Sequence, residues 1–249
     1  MLNTEFLIKN INKCFKNVPR DILQAVKLRQ AKEFNFDNFI LQLKNKVKSN
    51  FEFYFKDICK VYFDEVPNIL DHEYIAISLS ESDLKNLENG LDLFGFVILY
   101  RNFNYKLSII YIPSNQEKII IKNENFYKED ISENLHIIKI NKRNRKTLAV
   151  DTFSDKIKIL IEKLAINQED VLILRSQIYS LFLLMQGKID IVYFNTNNSI
   201  IHAFLEHMLQ NLVNKVNNLD IALIKQSKSE QDWISAYENG DYIINFSNN

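Results

Sequence analysis

The stretch Glu73–Phe96 reads EYIAISLSESDLKNLENGLDLFGF, and its reading decides the fold. It closes on Asn86-Leu87-Glu88-Asn89-Gly90 followed by Phe94, a fixed spacing of amide, glycine and aromatic. After Glu73 it runs Tyr74-Ile75-Ala76-Ile77-Ser78-Leu79-Ser80, without a carboxylate. The chain changes character here. The first 65 residues read as helical: in Asp37–Val47, Phe39, Ile40, Leu43 and Val47 fall on one stripe, with Asp37 available as an N-cap. Beyond Tyr74, Gly95–Arg101, Lys106–Ile112 and Glu117–Lys122 are short β-rich runs separated by Asn102-Phe103-Asn104 and Pro113-Ser114-Asn115-Gln116. Their pattern predicts an antiparallel meander.

A second half starts near Thr147. Ser154 can cap a helix through Ala165, Val171–Leu174 reads as a buried strand, and Ser176–Gln186 reads as a helix stopped by Gly187. Ile189–Phe194 is the next strand, and Ser199 can cap a long helix whose apolar residues recur every three and four positions. Short strands around Ile221–Ile224 and Tyr242–Phe246 finish the chain. The expectation is an α/β chain in two structural halves, 1–146 and 147–249, forming one compact unit.

Composition narrows the function. Of 249 residues, 47% are hydrophobic and 25% charged, which suits a globular core and excludes global disorder. Lysines and arginines equal aspartates and glutamates at 31 each, so the chain lacks the basic excess that nucleic-acid binding demands. No segment approaches a membrane span, and the N-terminus lacks the apolar core and small-residue site of a signal peptide. Cys14 and Cys59 are too few for a disulfide scaffold. A cytoplasmic protein with reduced thiols is expected. The four glycines, Gly90, Gly95, Gly187 and Gly240, form neither GxGxxG nor GxxxxGK[ST], which excludes nucleotide loops of those kinds.

The Asn86–Phe94 spacing resembles the N-F-x-x-G-x-x-x-F that follows W-I-x-D-P-L-D-G-T in the inositol monophosphatase superfamily, of the bacterial extragenic-suppressor type. Three further blocks resemble that family in the same order. Leu107–Pro113 followed by Glu117 is similar to G-V-I-Y-D-P-x-x-x-E, with Ile112 for the aspartate. Arg175–Leu181 followed by Gly187–Asp190 is similar to G-S-A-A-L-D-L-x-x-V-A-x-G-R-x-D, with Arg175 for the glycine and Ser180 for the first aspartate. Glu238–Asn245 is similar to the closing strand. The resemblance implies a layered αβαβα sandwich, usually a homodimer, and a site where magnesium ions clamp the oxygens of a phosphoryl transfer.

The implied ligands are mostly missing. Asp64-Glu65 matches the family's G-E-E turn best and makes Glu65 the one metal-ligand candidate; an exposed acidic turn before Pro67 is the plainer reading. With Tyr74 on the tryptophan, Ile77 and Ser80 take the aspartate positions; counted back from Asn86, Leu79 and Ser82 do. Asp83 lies nearby without a spaced partner, and the family's W-D pair falls on Ile200-Ile201. His202 and His207, five apart, are not an HExxH pair and suit packing or a solvated surface. Asp151, Asp155 and Glu162 read as solvated charges, and the basic run Lys139–Lys146 as a solvated turn. The expectation is a phosphatase-like pseudo-enzyme that needs no cofactor and works by binding a protein partner or a ligand. The alternative is a divergent Mg2+-dependent inositol or sugar phosphate monoesterase. Either way, Glu65, the Ile77–Ser82 segment and Ile201 are expected to converge.

Overall fold

A computed structural model describes residues 4–28, 34–65, 67, 73–102, 105–130, 132–139, 146–152, 154–196, 198–215 and 241–245. The strand expected at Ile221–Ile224 and most of the basic run lie outside them.

Three helices come first: α1 (Thr4–Phe15), α2 (Val18–Leu28) and α3 (Phe36–Phe55). In α3 the buried residues Leu43, Val47, Phe51 and Phe55 recur every fourth position, a narrow apolar stripe along one face. Its N-cap is Asn35, whose side chain accepts from the Asn38 N–H at 2.9 Å; Asp37 lies within the first turn instead. The helical reading of the first 65 residues misses β1 (Lys60–Phe63), a strand too short to carry a periodicity.

β1 runs parallel to β2 (Tyr74–Ser78). After α4 (Glu81–Glu88) the chain forms the meander β3 (Phe96–Arg101), β4 (Lys106–Ile112), β5 (Glu117–Lys122), β6 (Asn125–Glu129) and β7 (Leu135–Ile137). The resulting seven-stranded sheet has its strands in sequence order. Strand alternation sorts its side chains between two cores. Ile75, Ile77, Phe96, Ile98, Tyr100, Leu107, Ile109 and Ile120 pack against α1–α3. Ala76, Val97, Leu99, Ile110, Ile112, Ile119 and Ile121 face the opposite way.

The second half supplies β8 (Leu148–Val150), α5 (Asp155–Leu164), β9 (Val171–Ile173), α6 (Gln177–Gln186), β10 (Ile191–Asn195), α7 (Ser199–Lys215) and β11 (Asp241–Asn245). The second sheet has the order β11-β10-β8-β9, with β10, β8 and β9 parallel and β11 antiparallel. α6 and α7 lie between the sheets, since Leu181, Leu184, Ile201, Phe204 and Leu205 share one core with the first sheet and with Ala149 and Val192. α5 covers the far face through Ile157, Leu160 and Ile161. The layers are therefore helix, sheet, helix, sheet, helix.

Gly187 ends α6 in the left-handed conformation, φ 77°, as its position in the sequence predicts. β9 departs from its buried reading: it is an edge strand with Leu172 and Ile173 exposed, because four apolar residues look alike at an edge and in a core. No helix among the described residues is long and apolar enough to cross a membrane.

Candidate functional site

Three chain segments meet where β1 and β2 end and α7 begins. The backbone leaves β1 through Asp64, which sits at φ 54°, a left-handed conformation aspartate tolerates better than most residues. Its Oδ1 accepts from the Ser78 hydroxyl at 2.7 Å and the Leu79 N–H at 3.3 Å. Its Oδ2 takes the Lys44 ammonium of α3 at 2.6 Å. From the other side the Asn198 amide donates to Ser78 Oγ at 2.7 Å. Asn198 Oδ1 accepts from the N–H groups of Ile200 and Ile201 at 3.0 and 3.1 Å, so Asn198 caps α7.

A second polar cluster hangs on the same β2–α4 connection. Ser80 is the N-cap of α4 and accepts the Asp83 N–H at 3.1 Å, while its hydroxyl donates back to the Asp83 carboxylate. Asp83 is fully buried and also receives the Gly95 N–H at 2.9 Å, the Ser176 hydroxyl at 2.6 Å and the Ile178 N–H at 3.3 Å. One carboxylate thus ties the start of α4, the entry to β3 and the N-terminus of α6. Burial pushes the Asp83 carboxyl up to about 6 in spite of these donors. Asn86, one turn on, donates to the carbonyls of Leu93 and Leu174 at 2.7 and 2.9 Å and fixes α4 to both neighbouring segments.

Asp151 follows β8 directly and lies beside this cluster. Burial pushes its carboxyl up to about 7, the nearby Asp83 carboxyl raises it further, and hydrogen bonds from Gln177 and Ser82 pull it back. The reading of Asp151 as a solvated charge is therefore corrected: it is half-buried at a strand end, whereas Asp155 is exposed and pairs with Lys158 at 2.8 Å.

No family model matches the sequence, and no curated protein matches it. Solved structures do match the fold. A staphylococcal IMPase-I complexed with products aligns with a TM-score of 0.56 at 14% identity, over 84% of this chain and 82% of that one. The extragenic suppressor protein SuhB of Bartonella henselae aligns with a TM-score of 0.54 at 10% identity, over 82% and 84%. CysQ of Bacteroides thetaiotaomicron, described as a bacterial member of the inositol monophosphatase family, gives 0.52 at 13% identity, over 76% and 81%. The chain has the inositol monophosphatase fold.

The inositol monophosphatase fold implies magnesium at a carboxylate cluster. Among the described residues the junction offers one carboxylate, Asp64, and Lys44 already neutralises it. Among the described residues, no three His, Cys, Asp or Glu side chains gather where they could hold a metal ion. This donor set does not fit a two-magnesium centre, which needs several anionic oxygens around each ion.

The expected site residues are placed unevenly. Glu65 turns outward, 60% exposed, to Lys48 at 3.1 Å, and its neighbour Asp64 faces the junction instead. Ile77 is buried against the N-terminal helices and Ile201 in the core between the sheets. Ser78 and Asn198, not Ile77 and Ile201, are the side chains that meet. Ser80 and Asp83 come together in the second cluster. Ser180 is buried within α6 and donates to its own Ser176 carbonyl at 2.5 Å. His207 is buried beside Ser108, Oγ to Nδ1 2.7 Å, and burial with nearby Lys106 pushes it down to about 4. Sequence reading missed Ser78, Asn198 and Gln177. Period-two alternation from Ile75 and Ile77 would have put Ser78 on the opposite face from Ile77.

Proposed function

We propose that this chain is an inositol-monophosphatase-fold protein that has lost metal-dependent phosphate ester hydrolysis and works by binding. One observation carries the reading: where the fold would gather carboxylates for magnesium, Asp64 alone faces the junction among the described residues, and it is held by Lys44, Ser78 and the Leu79 N–H. Losing a single electrostatic stabiliser of a transition state costs about 10²–10³ in rate, and this junction lacks several. We take the protein to act in the cytoplasm, as a homodimer, through its cleft or a protein partner.

The test is phosphate release from inositol 1-phosphate with millimolar magnesium and with chelator. No magnesium-dependent turnover is expected, and the melting temperature should not respond to the ion, because binding to a native-state site would raise it by mass action. Chelator-sensitive turnover that disappears in Asp64→Asn or Glu65→Ala would establish the divergent phosphatase instead.

A further inference from the structure

α2 and α3 leave between them an open groove of about 420 Å³, within the range of about 300–1,000 Å³ that small-molecule sites span. Helical spacing sorts its walls. On α3, Asn38, Gln42 and Lys46 recur every fourth residue as one bank, and Phe39 and Leu43 form the row beside them. α2 supplies Asp21 and Gln24 as the facing bank, with buried Ala25 at the floor. The Asp21 carboxylate takes the Lys46 ammonium at 2.5 Å and closes one end. Phe34 stands at the other end, its ring centroid 5.9 Å from that of Phe39. None of these residues belongs to the junction around Asp64 or to the Asp83 cluster.

Among the described side chains the groove carries no unbalanced charge. Asp21 and Lys46 answer each other, and Arg20 and Asp37, beside it on the two helices, are exposed outside the lining. Lys44 and Lys48 turn to Asp64 and Glu65. Lys27, Arg29, Lys32 and Glu33 follow in the sequence, with side chains outside the described set. What the banks offer is amides. Gln24, Asn38 and Gln42 are exposed, and each carries a donor and an acceptor, the same pair that a hydroxyl carries. Phe34 and Phe39 are half-buried and meet at 43°, so they form one bent apolar wall rather than two parallel plates around a flat ring. The negative face of an aromatic ring attracts the positive ends of C–H bonds. A sugar ring, with a face of C–H bonds and a rim of hydroxyls, satisfies wall and banks together. An extended peptide projects side chains to both sides in alternation, and this groove has a single apolar wall. The bank from Asn38 to Lys46 spans about 12 Å of helix, room for more than one sugar ring in line.

We propose that the groove between α2 and α3 binds a short neutral oligosaccharide. One sugar ring lays its C–H face on Phe34 and Phe39, and its hydroxyls meet the amides of Gln24, Asn38 and Gln42. The Asp21–Lys46 pair bounds the groove at its far end and leaves no net charge there to attract an ionic ligand.

The experiment titrates the full chain with millimolar cellotriose and with maltotriose, following binding by calorimetry and by saturation transfer from protein to sugar in NMR. Trigalacturonate, an anionic trisaccharide, and acetyl-tetraalanine amide, a neutral extended peptide, are the comparisons. At least one neutral trisaccharide should bind, with saturation strongest on the C–H protons of one ring face, and neither comparison should. Gln24→Ala and Gln42→Ala should each weaken that binding by about 3- to 10-fold, the loss of one hydrogen bond. Phe34→Ala should weaken it by a similar factor through the lost ring contact, about 3- to 10-fold. Both glutamines are exposed on helices, where alanine favours the helix, so these two variants decide even if thermal melts show that Phe34→Ala does not fold. Binding of neither trisaccharide would overturn the proposal. So would binding of trigalacturonate or of the peptide at least as tightly, or affinity unchanged in both glutamine variants. Phosphate release with magnesium is a separate readout of the Asp64 junction, and either result there leaves this groove as it is.

Discussion

Gly95 shows how tightly single residues hold the second polar cluster. A Cβ there would lie 2.7 Å from Ile112 Cδ1, 2.8 Å from Ile178 Cγ2 and 3.0 Å from the Tyr111 carbonyl oxygen, so glycine is needed for close approach. Its N–H is one of the four donors on Asp83. Gly95→Ala should therefore destabilise the protein by about 1–3 kcal/mol, the usual range for forcing an extra carbon into a packed core. Urea denaturation checks this, and an unchanged midpoint would mean that Ile112 and Ile178 move aside freely. Arg175 illustrates what residue-level reading gets right. The block comparison put it where the family has glycine, and its φ is 51°, in the left-handed region that favours glycine. Glu65 illustrates the opposite: adjacent carboxylates cannot be told apart by composition, and only the turn at Asp64 decides which one faces inward.

Among the elements, those with a repeating pattern were legible and those defined by a few residues were not. The stripe on α3, where one face is buried, and the continuous apolar runs of β3, β4 and β5, buried on both faces, appear where the sequence puts them. β1 did not. The N-caps of α3 and α7 are Asn35 and Asn198 rather than Asp37 and Ser199, whereas Ser154 and Gly187 bound α5 and α6 as the sequence reads. At the start of α7, Thr196-Asn197-Asn198-Ser199 offers four residues with capping side chains, and only the fold selects Asn198. The choice matters, because the amide of Asn198 also holds Ser78 Oγ and so joins α7 to the end of β2. Asn198→Ala should cost about 0.5–2 kcal/mol through the lost cap, measured by chemical denaturation. Asn198→Asp should keep the cap but not the donor to Ser78, so it should recover part of the loss; full recovery would mean that the Ser78 contact contributes nothing.

Across the whole molecule, the layered architecture was readable because the order of strands and helices constrains how apolar faces can be covered. The site was not, because it is made by segments far apart in sequence, and burial gives its groups properties no local pattern carries. Burial of Asp83, Asp151, His202 and His207 makes global stability depend on pH. Asp83 and Asp151 are held up to about 6 and about 7 from 3.8, so the stability they contribute is fully present below 3.8 and is lost as pH rises through those values. His207 is pushed down to about 4 from 6.5, so its contribution is present above 6.5 and is lost as pH falls toward about 4. The groups facing them are Lys106 on β4 for His207 and each aspartate for the other. Between about pH 8 and 6.5 the native state takes up protons mainly at Asp151 while the unfolded chain begins to protonate His202 and His207, so the two uptakes oppose each other and the melting temperature of the parent should change little. Asp151→Asn carries no charge to bury at this strand end, so it should melt higher than the parent near pH 8, and without that proton uptake its melting temperature should fall on acidification to about 6.5. Thermal melts of both proteins across this range are the measurement. An Asp151→Asn curve parallel to that of the parent would show that Asp151 is solvated in the folded protein after all.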